Sequence, residues 1–185
     1  GVDSGNNVSL GNHVLSADFG DVRFTDDDGA TELNYWMESF NSTTAVFWVK
    51  VADSLESSAQ TIFVYYGKAD TATTSNGVNT FLFFDDFNTL NTAALNGQNG
   101  WTADVNFDVE SGTVKEGAKA LQATLSGVKT AAHAVTVPSY NVFVQMYMRT
   151  SIVAKAGYIH DFYLYEDSTQ ITGVFLGDNS QFKHL

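Results

Sequence analysis

The chain contains no cysteine. Disulfides, zinc–thiolate centres and thiol nucleophiles are excluded together. Basic residues are scarce as well. Nine lysines and arginines face 21 acidic residues, a net charge of -12 over 185 residues. Such a field repels a nucleic-acid backbone and an anionic bilayer, so neither is an expected partner, while neutral sugars, cations and basic partners stay open. No apolar run approaches the ~20 residues of a membrane-spanning helix. No secretory leader opens the chain, and Gly1 is expected to begin a mature or trimmed protein. Motifs of several enzyme classes are missing too. There is no Gly-x-Ser-x-Gly nucleophile elbow, no glycine-rich phosphate loop, and no metal-type spacing among His13, His133, His160 and His184.

What is present is apolar, aromatic and uncharged-polar. Hydrophobic residues make up 44%, aromatics 14% and charged residues only 16%, the profile of a folded chain with β-type surfaces. Helical periodicity is nearly absent, whereas period-two alternation recurs. In Val46–Val51 the residues Phe47, Val49 and Val51 share one face. Ile62–Tyr66 is apolar or aromatic on both faces, which predicts a strand covered on both sides. Val142–Met148, Tyr158–Tyr165 and Ile171–Leu176 read as further strands, with Val142, Val144, Met146 and Met148 inward in the first. Asp28-Gly29, Ser126-Gly127 and Gly177-Asp178-Asn179 read as turns. Asp53-Ser54-Leu55-Glu56 could cap one short helical turn. The fold class expected is all-β, an antiparallel sandwich in two parts.

The run Asp18-Phe19-Gly20-Asp21-Val22-Arg23-Phe24-Thr25-Asp26-Asp27-Asp28-Gly29 is followed by Tyr35-Trp36-Met37-Glu38, Val46-Phe47-Trp48-Val49-Lys50-Val51, Ile62-Phe63-Val64-Tyr65-Tyr66-Gly67 and Phe81-Leu82-Phe83-Phe84-Asp85-Asp86-Phe87. Together these resemble an uncharacterised domain that recurs in secreted multidomain proteins of archaea and bacteria. The resemblance covers residues 1–84 and implies an extracellular or cell-surface location. Residues 85–185, from Phe-Phe-Asp-Asp-Phe through Gly100-Trp101, Phe107–Gly112 and Ala120–Leu125, resemble the opening of a concanavalin A-like jelly roll. Both resemblances imply further strands at the ends of the chain. The open edges would be met by one sheet shared between the parts, by strands from a neighbouring chain, or by more of a longer protein.

Several side chains are candidates for chemistry. Asp26, Asp27 and Asp28 bring closely spaced carboxylates to one turn, and Asp26 and Asp28 suit calcium; Asp28-Gly29 equally signals a solvated hairpin. Asp21 and Arg23 share a strand face, where a salt bridge is expected; Arg23 could instead clamp a carboxylate. The jelly-roll resemblance implies a structural calcium at Asp85 and Asp86, with Glu116 in a later turn; charged residues leaving a strand explain the pair as well. Aromatic faces stack on pyranose rings, which makes Trp101, Tyr163 and Tyr165 ligand-binding candidates, although most aromatics of a small β-protein are core. In the resembling jelly rolls an equivalent tryptophan can simply close the sandwich. Asp161 and Glu166, the nearest approach to a glycosidase carboxylate pair, are five apart and fall on opposite faces of a regular strand, so no catalytic residues are expected. Asn7-Val8-Ser9 and Asn41-Ser42-Thr43 match the glycosylation triplet. The expected function is non-catalytic binding of a neutral polysaccharide or surface glycan, as a carbohydrate-binding or adhesion module of a larger secreted or surface protein. The alternative is a subunit of a filament, sheath or virion appendage that pairs with copies of itself or with neighbouring domains.

Overall fold

The structure is a computed structural model that describes residues 2–4, 7–11, 13–14, 16–54, 59–124, 129–136, 143–147, 160–166, 169–176 and 182–184. It is all-β. Its strands are β1 (Val2–Ser4), β2 (Asn7–Ser9), β3 (Arg23–Thr25), β4 (Tyr35–Phe40), β5 (Ala45–Val49) and β6 (Phe63–Tyr65). After a single helical turn, α1 (Gly77–Thr80), come β7 (Thr102–Ala103), β8 (Phe107–Glu110), β9 (Ala120–Ala123), β10 (Ala131–Ala132), β11 (His160–Glu166), β12 (Thr169–Leu176) and β13 (Phe182–His184). Residues 1–142 form one compact unit and residues 143–185 another. In the first unit the strands pair antiparallel as two-stranded ribbons: β1–β2, β3–β6, β4–β5, β7–β10 and β8–β9.

Among the described residues two hydrophobic clusters hold the first unit. In the first, Val22, Phe24, Leu33 and Tyr35 are buried, and Phe47, Val49, Ile62, Val64 and Tyr66 close on them. Ribbons β3–β6 and β4–β5 both feed this cluster. Phe24, Tyr35 and Phe47 meet edge to face with ring centroids 5.3–5.8 Å apart, the arrangement that the aromatic quadrupole favours. The Tyr35 hydroxyl is not wasted inside: it donates to the Val22 carbonyl (3.1 Å) and accepts from the Thr74 amide (3.2 Å). The alternation of Val46–Val51 thus places Phe47 and Val49 on the core as expected. Ile62–Tyr66 departs from expectation. Ile62, Val64 and Tyr66 pack inward, but Phe63 and Tyr65 are 43% and 48% exposed. Their side meets only part of the 26–31 hairpin, through the Tyr65 hydroxyl on the Gly29 carbonyl, so both rings stay partly in solvent.

The second cluster centres on Leu90, Leu95 and Val109, with Phe87, Trp101, Phe107 and Leu121 against them. β8 is paired on both edges. β9 takes one, and the 93–95 segment takes the other through Leu95 N–H to the Phe107 carbonyl and Val109 N–H to the Ala93 carbonyl, both 2.8 Å.

The segment Phe81-Leu82-Phe83-Phe84 ties the clusters together. Phe81 and Phe84 stack 5.9 Å apart and reach Trp36 at 5.7 and 4.9 Å; Phe81 also meets Trp48. Phe83 turns the other way, to Trp101 at 6.0 Å and His133 at 4.4 Å. The boundary expected at residues 84–85 falls on this strap. α1 delivers the strap. Its cap is Asn76, whose side-chain oxygen accepts the Asn79 amide at 3.0 Å. Its first residue must be glycine, since a Cβ on Gly77 would lie 2.5 Å from the Phe84 ring.

In the second unit β11, β12 and β13 form a three-stranded antiparallel sheet in that order. The strands expected at Tyr158–Tyr165 and Ile171–Leu176 are found there, as β11 and β12. The pairing slips between Leu164↔Thr172 and Tyr165↔Gln170, which passes over Ile171. This bulge was not evident from sequence. Its extra residue lies in β12, so the count from Asp161 to Glu166 along β11 is undisturbed. Residues 143–147 are not a strand, contrary to expectation. Phe143, Val144, Met146 and Tyr147 are all exposed there, so alternation alone has no packed layer to bury them in. Turns expected at Ser126-Gly127 and Gly177-Asp178-Asn179 lie outside the described residues, as do Leu55 and Glu56 of the expected 53–56 turn.

Candidate functional site

The acidic turn folds as a hairpin between Thr25 and Glu32, which bridge one another. Asp26 N–H donates to the Thr31 carbonyl (2.9 Å) and Gly29 N–H to the Asp26 carbonyl (3.0 Å); Gly29 has φ +70°, a conformation glycine adopts without steric cost. Asp28 serves this turn directly. One carboxylate oxygen accepts the Ala30 and Thr31 amides at 2.9 and 2.8 Å, and the other accepts the Thr31 hydroxyl at 2.6 Å. These bonds, the Thr31 hydroxyl foremost, hold the Asp28 carboxyl below the ordinary aspartate range. Asp26 accepts the Asp27 amide at 3.0 Å.

Asp85 is an anchor between strap and second cluster. Its Oδ1 accepts the Phe87 amide at 2.8 Å. Its Oδ2 accepts the Trp101 indole N–H at 2.8 Å and the Asn99 amide group at 3.1 Å. Asp86 holds Asn88 through the backbone amide (3.1 Å) and side-chain amide (2.8 Å). Asn88 in turn accepts the Ala118 and Lys119 amides at 2.7 and 3.0 Å, and so joins Asp86 to the turn that contains Glu116. Glu116 itself pairs with Lys115 at 3.2 Å. Among the described residues no three His, Asp or Glu side chains come together to hold a metal ion. The fit to calcium is poor on the donor side as well, because N–H groups point at the oxygens of Asp28, Asp85 and Asp86 that a cation would need. Asn88 went unnoticed in the sequence, since an asparagine whose two ends bridge two turns leaves no local pattern, and His133 was weighed only for metal spacing.

Trp101 is half-buried. Phe83, Phe87 and His133 surround it at 6.0, 6.1 and 5.3 Å, and its indole N–H is spent on Asp85. It therefore helps to close the second cluster. Tyr163 and Tyr165 sit on β11 opposite Gly173 and Gln170. Asn41 of the second triplet lies at the exposed β4–β5 turn, where its side chain accepts the Thr43 and Thr44 amides.

The β3–β6 ribbon borders a concavity beside Arg23 and Tyr65. A cleft of about 540 Å³ is lined by Asp21, Arg23, Glu32, Tyr65, Tyr66 and Lys68, with threonines at its rim. A neighbouring recess of about 280 Å³ shares Arg23, Glu32 and Tyr65. The ribbon register places Arg23 opposite Tyr65. Tyr65 is about half exposed, yet its hydroxyl donates to the Gly29 carbonyl at 3.0 Å, so the ring is fixed at the hairpin. Arg23 does not pair with Asp21 as expected. Its Nη1 donates to the Gly20 and Val22 carbonyls (2.8 and 2.7 Å) and its Nη2 to the Ala72 carbonyl (2.6 Å). Asp21 is buried and turns to backbone donors instead, Gly67 N–H at 2.8 Å and Ser16 N–H at 3.4 Å. Backbone amides aimed at the buried carboxylate satisfy its oxygens and favour its charged form. Asp18 holds the same loop. It accepts the Ser16 hydroxyl and the Gly20 amide (3.0 Å), which lower its pKa.

These features define an all-β protein with two tied clusters, a polar cleft beside the β3–β6 ribbon, and no helix long and apolar enough to cross a membrane among the described residues. Residues 18–104 match the family model described as a domain of unknown function, DUF2341. The match opens at the Asp18 loop, takes in the four buried residues of the first cluster and the strap, and reaches Asp104 beyond Trp101. No curated protein matches the chain, and no solved structure does.

Proposed function

We propose that the chain is a non-catalytic binding module of an extracellular or cell-surface protein, and that it grips a glycan in the Arg23–Tyr65 cleft. The two ribbon clusters are read as sandwich-type layers, the second a partial jelly roll. The observation behind the assignment is the tyrosine ring. Tyr65 stands half exposed at the edge of the cleft, tethered by its hydroxyl to Gly29 and flanked by Arg23 and Glu32. A fixed aromatic face offers a platform for the C–H face of a sugar, and the ionic groups around it supply donors and acceptors for hydroxyls. Asp21 shares the cleft but is committed to two backbone amides, which favours an anchoring role over acid–base work. Electrophoresis through gels that contain neutral or acidic polysaccharides tests the reading. The wild type should be retarded on at least one polymer, Tyr65→Ala should run freely, and Tyr65→Phe should keep most of the retardation. A protein that no polysaccharide retards is not a glycan module.

A structural subunit is the second reading, and one observation favours it. Ribbon β4–β5 leaves Phe40 and Val46 about half exposed, and among the described residues it pairs with no third strand. Strand addition from another copy would cover such edges. Ladders or filaments on a sizing column and under the electron microscope would favour assembly over glycan binding.

A further inference from the structure

We infer that the sugar taken by this cleft is acidic, a hexuronate residue of a polyuronate chain; the inference rests on the glycan reading above. Residues 1–80 contain three basic side chains, Arg23, Lys50 and Lys68, among 11 acidic ones. Two of the three, Arg23 and Lys68, line the same cleft. Among the described residues neither is ion-paired with a carboxylate; the ion pair found there is Lys115–Glu116. Arg23 is held by three backbone carbonyls, which fix its plane without cancelling its charge. A guanidinium has five N–H donors, so about two remain for a ligand. A pre-ordered guanidinium beside an ammonium selects a carboxylate, with the planar fork giving direction and the lysine adding charge.

The rest of the lining fits the remainder of such a sugar. Glu32 is exposed in the same cleft and accepts hydroxyl donors. Tyr65 presents its ring to the pyranose face. A simple inorganic anion would use the two cations and be repelled by Glu32, whereas a uronate places its carboxylate and its hydroxyls at different ends. The chain as a whole is strongly negative, so the polymer is attracted only at short range and the attraction is screened by salt.

The test compares polygalacturonate and alginate with the same polymers after carboxyl reduction, and with a panel of neutral polysaccharides. The full chain and the variants Lys68→Ala and Tyr65→Ala are measured by affinity electrophoresis at low and moderate salt. Lys68 is exposed, so its variant keeps the fold. A native polyuronate should bind about tenfold more tightly than its reduced form, the scale of one charge-assisted hydrogen bond. Lys68→Ala should remove most of that margin, and salt should narrow it, while Tyr65→Ala should weaken both polymers. Equal affinity for native and reduced polymers, or retention on the neutral panel alone, overturns the acidic-sugar inference and leaves the glycan reading standing. No retention on any polymer overturns both.

Discussion

Asp85→Ala separates an anchor from a metal ligand. The substitution removes the acceptor of three N–H groups at once: Phe87 at 2.8 Å, Trp101 at 2.8 Å and Asn99 at 3.1 Å. Phe87 adopts φ +60°, a conformation uncommon for an aromatic residue and supported by its amide's bond to Asp85. A hydrogen bond to a charged group contributes about 1.5–3 kcal/mol, but Asn99 is exposed and Trp101 only half-buried, so water replaces part of the loss. The expected destabilisation is about 2–3 kcal/mol for Asp85→Ala. Asp86 holds only the neighbouring Asn88, and Asp86→Ala should cost about 1 kcal/mol. Urea unfolding followed by tryptophan fluorescence, with and without calcium, measures both. The m-value should not change, since the folded state buries the same surface. Equal costs for the two variants, or an Asp85→Ala midpoint that falls only when calcium is present, would refute the anchor.

Other outcomes follow from single contacts. Millimolar calcium should leave the unfolding midpoint unchanged, because N–H donors engage the candidate carboxylates; an upward shift reversed by a chelator would show a bound ion. Gly77→Ala should destabilise by about 1–3 kcal/mol in the same urea assay, because the new methyl meets the Phe84 ring. Asp28 and Asp18 have pKa values lowered in the folded chain by hydroxyl and amide donors. Their contribution is therefore complete above the ordinary aspartate value and is lost as pH falls through the lowered one. Thermal unfolding from neutral to acid pH should fall in that acid window, and Asp28→Asn should flatten the fall.

Much of the first cluster was legible because burial there follows the pleat. Phe47 with Val49, and Ile62 with Val64 and Tyr66, alternate toward one core. The same parity placed Phe63 and Tyr65 on the opposite face, but whether a second layer covers that face depends on distant chain and is not written locally. Arg23 illustrates a second limit. Two-residue spacing brings it to the face of Asp21, yet the carbonyls of Gly20, Val22 and Ala72 and the amide of Gly67 compete for both groups and win. The cleft combines residues from 21 to 74, so neither the hairpin nor β6 announces it. Trp101 was a stacking candidate for its aromatic face. Its contacts with Phe83 and His133 come from segments far on either side, which is why its packing was hard to foresee.

Amide shift mapping during titration with an oligosaccharide of whichever polymer retards the protein tests the central claim most directly. The cleft reading predicts that the perturbed amides cluster in 21–32 and 63–74, around Arg23, Glu32, Tyr65 and Lys68. Perturbations centred on Asp85, Asn99 and Trp101, with the Tyr65 region silent, would contradict it.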